Sequence, residues 1–158
     1  MSSEISRYTI TAALPYANGP VHIGHLAGCY LPSDIYARYL RKNGKDLIFV
    51  CGTDEHGAAI NMKAQSEGAE PREIVDRYHA IIRDSLDKIG ISFDVFSRTS
   101  KEIHHKTAQD FFTKLYEKGS LEEKVTQQYF DPEAEQFIAD RFIVGECPNC
   151  HFGEAYGD

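Results

Sequence analysis

Two histidines separated by a glycine follow directly after a turn that is rich in proline and glycine. The turn runs from Pro15 to Pro20, and His22, Gly24 and His25 come next, at the start of a predicted helix. Backbone N–H groups and the positive end of the helix dipole favour phosphate at such a position. Because the histidines lie three residues apart, both rings can project from one side of the first turn and donate to phosphate oxygens. Gly24 has no Cβ atom, so a flat or charged group can approach its backbone.

Other interpretations of this histidine pair are open on residue type. Histidines near a helix start often cap the helix or lie on a polar surface, and an H-x-x-H spacing can also bind a metal ion. A lone H-x-G-H pattern occurs in several nucleotidyltransferases. The preceding turn and strand favour the phosphate site.

A carboxylate follows the next predicted strand in the same way. Asp54 lies in the segment Gly52–Gly57, directly after the apolar run Asp46–Cys51. Ligands of parallel α/β sheets bind at the carboxyl ends of the strands, so Asp54 is placed to pair with the ammonium group of a substrate. The alternative is that Asp54 caps a helix beginning near Glu55.

A pair of cysteines near the end of the sequence suggests a metal site. Cys147 and Cys150 form a C-P-N-C unit with the spacing of half a zinc knuckle, and the sequence has no second C-x-x-C pair. A closed structural zinc site needs four ligands. His151 fits a solvated loop residue better than a third ligand, so we expect zinc to bind this chain weakly or to be shared between chains. Cys29 and Cys51 stand in apolar surroundings and fit small buried side chains.

Strand-like and helix-like segments alternate over residues 1–119 and predict an α/β fold with a Rossmann-like, doubly wound parallel sheet. The predicted strands cover 8–14, 46–51 and 93–96. The predicted helices run from 24 to 42 with a kink or restart at Pro32, up to Gly68, from Pro71 to Gly90, and from a cap at Ser100 to Gly119. Residues 120–158 are predicted to begin a β-rich insertion with short strands at 124–130 and 137–144. We therefore place a domain boundary near residue 119.

Composition and charge restrict the cellular location and the partners. The sequence is 42% hydrophobic and 26% charged, as in soluble globular proteins, and no apolar run approaches the roughly 20 residues that span a bilayer. The first residues lack a secretory signal, which predicts a cytoplasmic protein that does not enter a membrane. The net charge of −7 is negative, whereas proteins that bind the phosphate backbone of a nucleic acid usually carry positive charge. A nucleic-acid partner would be held mainly by parts outside this chain.

Four segments together resemble one protein family. P-Y-A-N-G-P-V-H-I-G-H, at Pro15–His25, resembles the first signature of class I aminoacyl-tRNA synthetases in the form carried by methionyl-tRNA synthetases. The G-T-D-E-H-G segment, Asp140–Phe142 and the C-P-x-C knuckle resemble the same family in the same order, so the similarity covers most of the chain. Synthetases for leucine, isoleucine and valine share the histidine signature, but usually with different residues before it.

The resemblance implies a methionine–tRNA ligase, which activates L-methionine with ATP and Mg²⁺ to methionyl-adenylate and transfers the aminoacyl group to tRNA(Met). It assigns to His22 and His25 the role of hydrogen-bond donors to the α-phosphate of ATP. Further ATP contacts fall to Asn18, Gly24 and His56, and methionine binding to Leu14, Tyr16 and Asp54. Cys147 and Cys150 would bind a structural Zn²⁺ ion. On residue type alone, Leu14 and Tyr16 also fit core packing. The methionine carboxylate is ionised at neutral pH, so activation needs positioned donors rather than a general base.

The same resemblance implies that the chain is an amino-terminal fragment. The family carries a second cysteine pair, a K-M-S-K-S-type loop, the second half of the sheet and an anticodon-reading domain, none of which occurs in these 158 residues. We therefore expect the chain alone to make no methionyl-adenylate; the full-length protein could form a homodimer. The competing hypotheses are another H-x-G-H nucleotidyltransferase, a synthetase of the leucine, isoleucine or valine type, and a non-catalytic module that binds a protein through C-P-N-C and its acidic surface.

Overall fold

The computed structural model describes residues 7–132, 136–138 and 143–156. The chain divides into two compact units, Met1–Thr113 and Lys114–Asp158. The first unit holds a three-stranded parallel sheet with its helices, and the second holds short pairs of antiparallel strands. The domain boundary that we place near residue 119 stays a prediction.

The parallel sheet has its longest strand in the centre. β1 (Arg7–Thr11) and β3 (Val95–Arg98) flank β2 (Asp46–Thr53), with Thr11 opposite Val50 and Cys51 opposite Phe96. The apolar run of β2 without alternation is typical of a strand buried in a parallel sheet. The parallel α/β architecture confirms the predicted fold class, although β1 ends three residues before the predicted Leu14 and β3 begins two residues after the predicted start.

The connection from β1 to β2 is a helix that changes its pitch. α1 (Ile23–His25) leads into a π-helical segment, Leu26–Tyr30, and then into α2 (Leu31–Lys42). Pro32 lies in the first turn of α2, where the missing N–H group and the fixed φ angle are tolerated. The kink or restart predicted at Pro32 is confirmed as a restart of the α-helix at Leu31, directly after the π-helical segment.

Two long helices cover one face of the sheet. β2 is followed by α3 (Ala58–Glu67) and α4 (Pro71–Lys88), and β3 is followed by α5 (Glu102–Glu117). α2 and α4 pack on the sheet through a shared core, which comprises Ile10, Ala12, Tyr30, Ala37, Leu40, Phe49, Cys51, Ile82, Leu86 and Ile91. Burial of apolar surface in this core holds the helices on the strands.

A buried carboxylate links α2 to the segment before β3. Oδ1 of Asp34 accepts a hydrogen bond from the backbone N–H of Ser92 at 2.7 Å, and Oδ2 accepts one from Nε of Arg38 at 2.6 Å. Burial alone would raise the pKa of Asp34, but the hydrogen bonds from Ser92 and Arg38 outweigh it and hold the pKa below its usual value. The charged form of Asp34 therefore stabilises the contact between α2 and the segment before β3.

The close approach of β2 and β3 requires a glycine. A Cβ atom at Gly52 would lie 2.7 Å from the backbone oxygen of Ser97, inside the usual van der Waals distance. Because that oxygen belongs to a hydrogen-bonded strand, neither partner can move away without disturbing the ladder. Gly52 therefore allows the carboxyl ends of β2 and β3 to approach each other closely.

The predicted cap of α5 is wrong. Helix α5 begins at Glu102, two residues after Ser100, and the Ser100 hydroxyl donates to the carboxylate of Glu55. The charge-assisted bond to this buried anion holds the hydroxyl beside Glu55, away from the first N–H groups of α5. None of the described residues of α5 is buried, although several are large and apolar.

The second unit contains less strand than predicted. β4 (Phe130–Asp131) pairs with β5 (Gln136–Phe137), and β6 (Val144–Gly145) pairs with β7 (Ala155–Tyr156). Residues 124–129 form no strand: Val125 is 99% exposed, and the hydrogen bond from the backbone N–H of Ile138 to the carbonyl of Tyr129 extends the β4–β5 pairing by one residue only. The predicted strand 137–144 is described only at its ends, and Asp140–Phe142 lies outside the described residues. In the part of the chain that the structure describes, no helix is long and apolar enough to cross a membrane.

Candidate active site

His22 and His25 stand at the exposed amino-terminal end of α1 and cap it reciprocally. Nδ1 of His22 accepts a hydrogen bond from the backbone N–H of Gly24 at 3.1 Å. Nδ1 of His25 accepts one from the backbone N–H of His22, also at 3.1 Å. The ring centroids lie 3.8 Å apart. The two rings therefore stand side by side, and the capping interpretation holds together with the exposed position that a phosphate site requires.

These capping bonds determine which ring nitrogen carries the proton. A nitrogen that accepts an N–H bond must offer its lone pair, so a neutral imidazole then carries its proton on the other nitrogen. Nδ1 is the acceptor in both His22 and His25, which assigns the proton to Nε2 in both rings. The helix start thus presents two Nε2–H donors in addition to its backbone dipole, the combination that binds phosphate oxygens.

Gly24 makes room for the ring of His22. A Cβ atom at Gly24 would lie 2.9 Å from Cε1 and 3.1 Å from Nδ1 of that ring. Carbon atoms in contact prefer separations of about 3.5–4.0 Å, so the ring would have to turn away. Glycine at position 24 thus has two reasons: the space that the His22 ring occupies, and the approach of a ligand to the backbone that the sequence predicted.

Hydrogen bonds fasten the turn after β1 to the segment after β2. The backbone N–H of Asp54 donates to the carbonyl of Pro15 at 2.9 Å, and the N–H of Ala17 donates to the carbonyl of Asp54 at 2.8 Å. Tyr16 and Asp54 form a parallel bridge as a result. The structure therefore brings the two predicted motifs to one edge of the sheet.

Asp54 caps no helix. α3 begins at Ala58, with Gly57 as its N-cap residue, so the alternative of a helix beginning near Glu55 is wrong. Among the residues that the structure describes, the hydrogen bond to Oδ1 of Asp54 is a long one, 3.4 Å, from the backbone N–H of His56. The half-buried carboxylate is thus available to a cationic group at this edge.

Leu14 and Tyr16 are 46% and 53% exposed, so neither packs in the core. Leu14 lines an apolar cleft of about 410 Å³ that also includes Val50, Ser97 and Ile103. Cε1 of Tyr16 lies 3.9 Å from the point where a Cβ atom of Gly57 would stand. Both side chains are therefore exposed enough to contact a ligand, and their role in binding methionine stays a prediction.

The two weaker ATP candidates lie on the same edge. Asn18 is half-buried in the turn that leads to α1. His56 is exposed, and its Nε2 lies 3.4 Å from Nε2 of His105 on α5. The contact of these two side chains with ATP stays a prediction.

Cys147 and Cys150 lie in the second unit, in the turn between β6 and β7. Hydrogen bonds from the backbone N–H groups of Cys150 and Asn149 lower the pKa of the Cys147 thiol, which favours the thiolate that binds metals. Nδ1 of His151 contacts Oε1 of Glu146, in keeping with a solvated loop residue. No cluster of three or more metal-binding side chains occurs within residues 7–132, 136–138 and 143–156, so these residues supply half of a tetrahedral site.

A buried ion pair formed by Glu55, the residue after Asp54, was not predicted from the sequence. Nε of Arg98 lies 2.7 Å from Oε2 of Glu55, whose side chain is completely buried. The available signal was the position of both residues at the carboxyl ends of neighbouring predicted strands. Because 43 residues separate them, only the register of the sheet shows that they meet.

Comparison with known proteins decides the family. A model described as tRNA synthetases class I (M) matches residues 8–158. The chain belongs to this family of class I tRNA synthetases. It is 64% identical over all 158 residues to methionine–tRNA ligase of Flavobacterium psychrophilum and 59% identical to that of Bacteroides fragilis. The chain spans 23% of the length of each of these relatives.

Solved structures of synthetases share the fold. Methionyl-tRNA synthetase of Mycobacterium tuberculosis in complex with methionyl-adenylate matches with a TM-score of 0.76 at 23% identity, over 96% of this chain and 31% of that chain. The ternary complex of an Agrobacterium radiobacter LeuRS matches with a TM-score of 0.72 at 22% identity, over 99% of this chain and 20% of that chain. The parallel sheet is therefore the Rossmann-like sheet of a class I synthetase, as predicted.

Proposed function

We propose that this chain is the amino-terminal catalytic part of a methionine–tRNA ligase. The complete enzyme would activate L-methionine with ATP to methionyl-adenylate and pass the aminoacyl group to tRNA(Met). The observation that carries the proposal is the hydrogen-bonded contact between the turn that leads to His22 and His25, whose rings present Nε2–H donors, and the segment of Asp54 after β2. The identity of 64% to a methionine–tRNA ligase supports the choice of amino acid.

The geometry suits attack by one anion on another. An oxygen of the methionine carboxylate forms a bond to the α-phosphorus of ATP, and the bond from that phosphorus to the bridging oxygen of pyrophosphate breaks. Negative charge builds on the α-phosphate oxygens, where the Nε2–H groups of His22 and His25 donate, and Mg²⁺ neutralises further charge when it is bound with ATP. Asp54 holds the ammonium group of methionine, which orients the carboxylate for the attack.

The remaining candidate residues surround these groups. Asn18, Gly24 and His56 contact ATP, while Leu14 and Tyr16 contact the methionine side chain. A single methylene is worth only about 1–3 kcal/mol of discrimination, so selection of a thioether needs a closely fitted apolar pocket. The apolar cleft beside Leu14 supplies one wall of such a pocket.

The cysteine pair fits a structural zinc ion in part. Cys147 and Cys150 would supply two thiolate ligands, and the lowered pKa of Cys147 supports that assignment. Zinc titration of the isolated chain is the measurement: weak or shared binding agrees with half a site, and tight binding of one zinc per monomer contradicts it.

The partners and the location are part of the same proposal. The net charge of −7 supports a tRNA that is held mainly by parts outside this chain. The cytoplasmic location, the boundary at residue 119 and a homodimer of the longer protein stay predictions from the sequence.

The test of function uses a full-length ligase that carries this segment, such as the F. psychrophilum enzyme with its corresponding residues replaced by this chain. We expect ATP–pyrophosphate exchange that depends on methionine and is not supported by leucine, isoleucine or valine. The isolated chain is expected to show no exchange. Exchange with another amino acid, or methionine-dependent exchange by the isolated chain, would contradict the proposal.

Gly24 provides a test of the histidine geometry. Gly24→Ala is expected to displace the His22 ring and to lower methionine-dependent exchange of the full-length ligase about 10- to 100-fold, as small misplacements of catalytic groups do. Gly28→Ala is the matched control, because a Cβ atom there meets nothing within 4 Å. Equal exchange rates for the two variants would show that the His22 ring position does not matter.

A further inference from the structure

Glu55, the residue that follows Asp54, has a buried and hydrogen-bonded carboxylate. Both carboxylate oxygens of Glu55 accept from Nε of Arg98, at 2.8 and 2.7 Å, and Oε1 also accepts from the Thr53 hydroxyl at 2.8 Å. The Ser100 hydroxyl donates to Oε2. Burial alone would raise the pKa of Glu55, but these bonds, led by Arg98, hold the pKa below its usual value. Glu55 is therefore ionised, and the Arg98 guanidinium balances its negative charge.

The network extends from the sheet to α4. The guanidinium of Arg98 also donates to Oδ1 of Asp76 at 2.6 Å. Nδ1 of His79 lies 2.7 Å from the Thr53 hydroxyl oxygen. Because the Thr53 hydroxyl already donates to Glu55, His79 must be the donor in this second bond. Glu55 thus ties the end of β2 to the end of β3 and to α4.

The same network determines where Asp54 points. Thr53 and Glu55, the residues on either side, are both buried, and their side chains lie in the network. Side chains alternate along an extended chain, so Asp54 must point to the opposite side, toward the ligand edge. The backbone N–H of Glu55 donates to the Thr99 hydroxyl at 2.9 Å and fixes the peptide that follows Asp54.

We propose that the ion pair of Glu55 and Arg98 is a positioning device that aims the Asp54 carboxylate at the ammonium group of the amino-acid substrate. This inference rests on the function proposed above. A buried ion pair adds little stability over a well-packed apolar pair, because desolvation offsets the attraction between the charges. An apolar pair would hold β2 against β3 equally well, but it has no directional bonds to fix the rotation of the chain at Asp54.

The test is Glu55→Gln in the full-length ligase that carries this segment. The amide has the shape of the carboxylate, but its NH₂ group meets the Arg98 guanidinium, a donor facing a donor, and the segment must turn to relieve this. We expect the KM for methionine to rise about ten-fold while the KM for ATP changes less than about two-fold. Initial rates of pyrophosphate exchange at varied methionine and ATP give both constants.

Glu67→Gln is the matched control. Glu67 is also paired with an arginine, Arg77, but it lies on α3 and contacts neither the turn nor Asp54. This variant is expected to leave both KM values unchanged. A merely structural role of Glu55 would lower the folded fraction, and hence the apparent kcat, without changing the KM values of the enzyme that remains folded. A lowered apparent kcat with unchanged KM values for Glu55→Gln, or equal rises in both of its KM values, would overturn the proposal.

Milder variants cover the case in which Glu55→Gln does not fold. Arg98→Lys keeps the charge but loses the planar guanidinium, and Ser100→Ala removes a single donor to Glu55. Both are expected to raise the KM for methionine about two- to five-fold with that for ATP unchanged. Unchanged values in both folded variants would refute the positioning role. If the unmodified ligase shows no methionine-dependent exchange, the proposed function fails; if it does, only this inference is at stake.

Discussion

Replacing either His22 or His25 with alanine is expected to lower methionine-dependent ATP–pyrophosphate exchange of the full-length ligase about 10²- to 10³-fold. This is the usual effect of removing one donor from a site that stabilises charge on an oxyanion. The loss should fall mainly on kcat, because the donors act where charge builds in the transition state. His151→Ala, which removes an exposed histidine of the second unit, is the matched control and should leave the rate unchanged.

The assigned proton position makes a sharper comparison possible. A glutamine amide nitrogen reaches about as far from the backbone as Nε2 of histidine, whereas an asparagine amide nitrogen reaches only as far as Nδ1. Because both Nδ1 atoms are engaged with backbone N–H groups, His25→Gln is expected to retain more exchange activity than His25→Asn. The opposite order, or an alanine variant within about three-fold of the unmodified rate, would contradict the assignment.

Asp54→Ala is expected to raise the KM for methionine about 30- to 100-fold while that for ATP changes less than about three-fold. The reason is the loss of a hydrogen-bonded ion pair with the substrate, which is worth about 2–3 kcal/mol in such surroundings. Asp54→Asn keeps an oxygen for the N–H of His56 but loses the charge, so it separates the local turn from the ion pair. We expect the two variants to behave alike toward methionine.

The opposite outcome for Asp54 is equally clear. Rises of equal size in the KM for methionine and for ATP would indicate that Asp54 only holds the turn after β1. Recovery of normal methionine binding in Asp54→Asn would show that the backbone turn, and not the charge, is what the site requires. Thermal unfolding of each variant measures any loss of folded protein separately.

Much of the edge of the sheet was predictable because it follows from chain topology. Parallel strands place their carboxyl ends together, so the turn after β1 and Asp54 after β2 had to meet, and the bridge between Tyr16 and Asp54 confirms it. Pro32 marked the start of α2 because proline is tolerated in the first turn of a helix and not in its interior.

Other features depend on tertiary contacts that no local pattern contains. Ser100 looked like a helix cap, but the buried charge of Glu55 takes its hydroxyl. Residues 124–129 have strand-like composition, yet a strand exists only where a neighbour takes up its hydrogen bonds. The assignment of Nδ1 as the acceptor in both histidines likewise required the backbone geometry of α1.

The most direct test of the central claim is a crystal structure of the full-length ligase carrying this segment, bound to a non-hydrolysable analogue of methionyl-adenylate. We expect Nε2 of His22 or His25 to lie within about 3.2 Å of an oxygen on the phosphate or on its replacement group. We also expect the Asp54 carboxylate to lie at a similar distance from the ammonium nitrogen. Two rings turned away from the ligand, with neither Nε2 within hydrogen-bonding distance of it, would contradict the account.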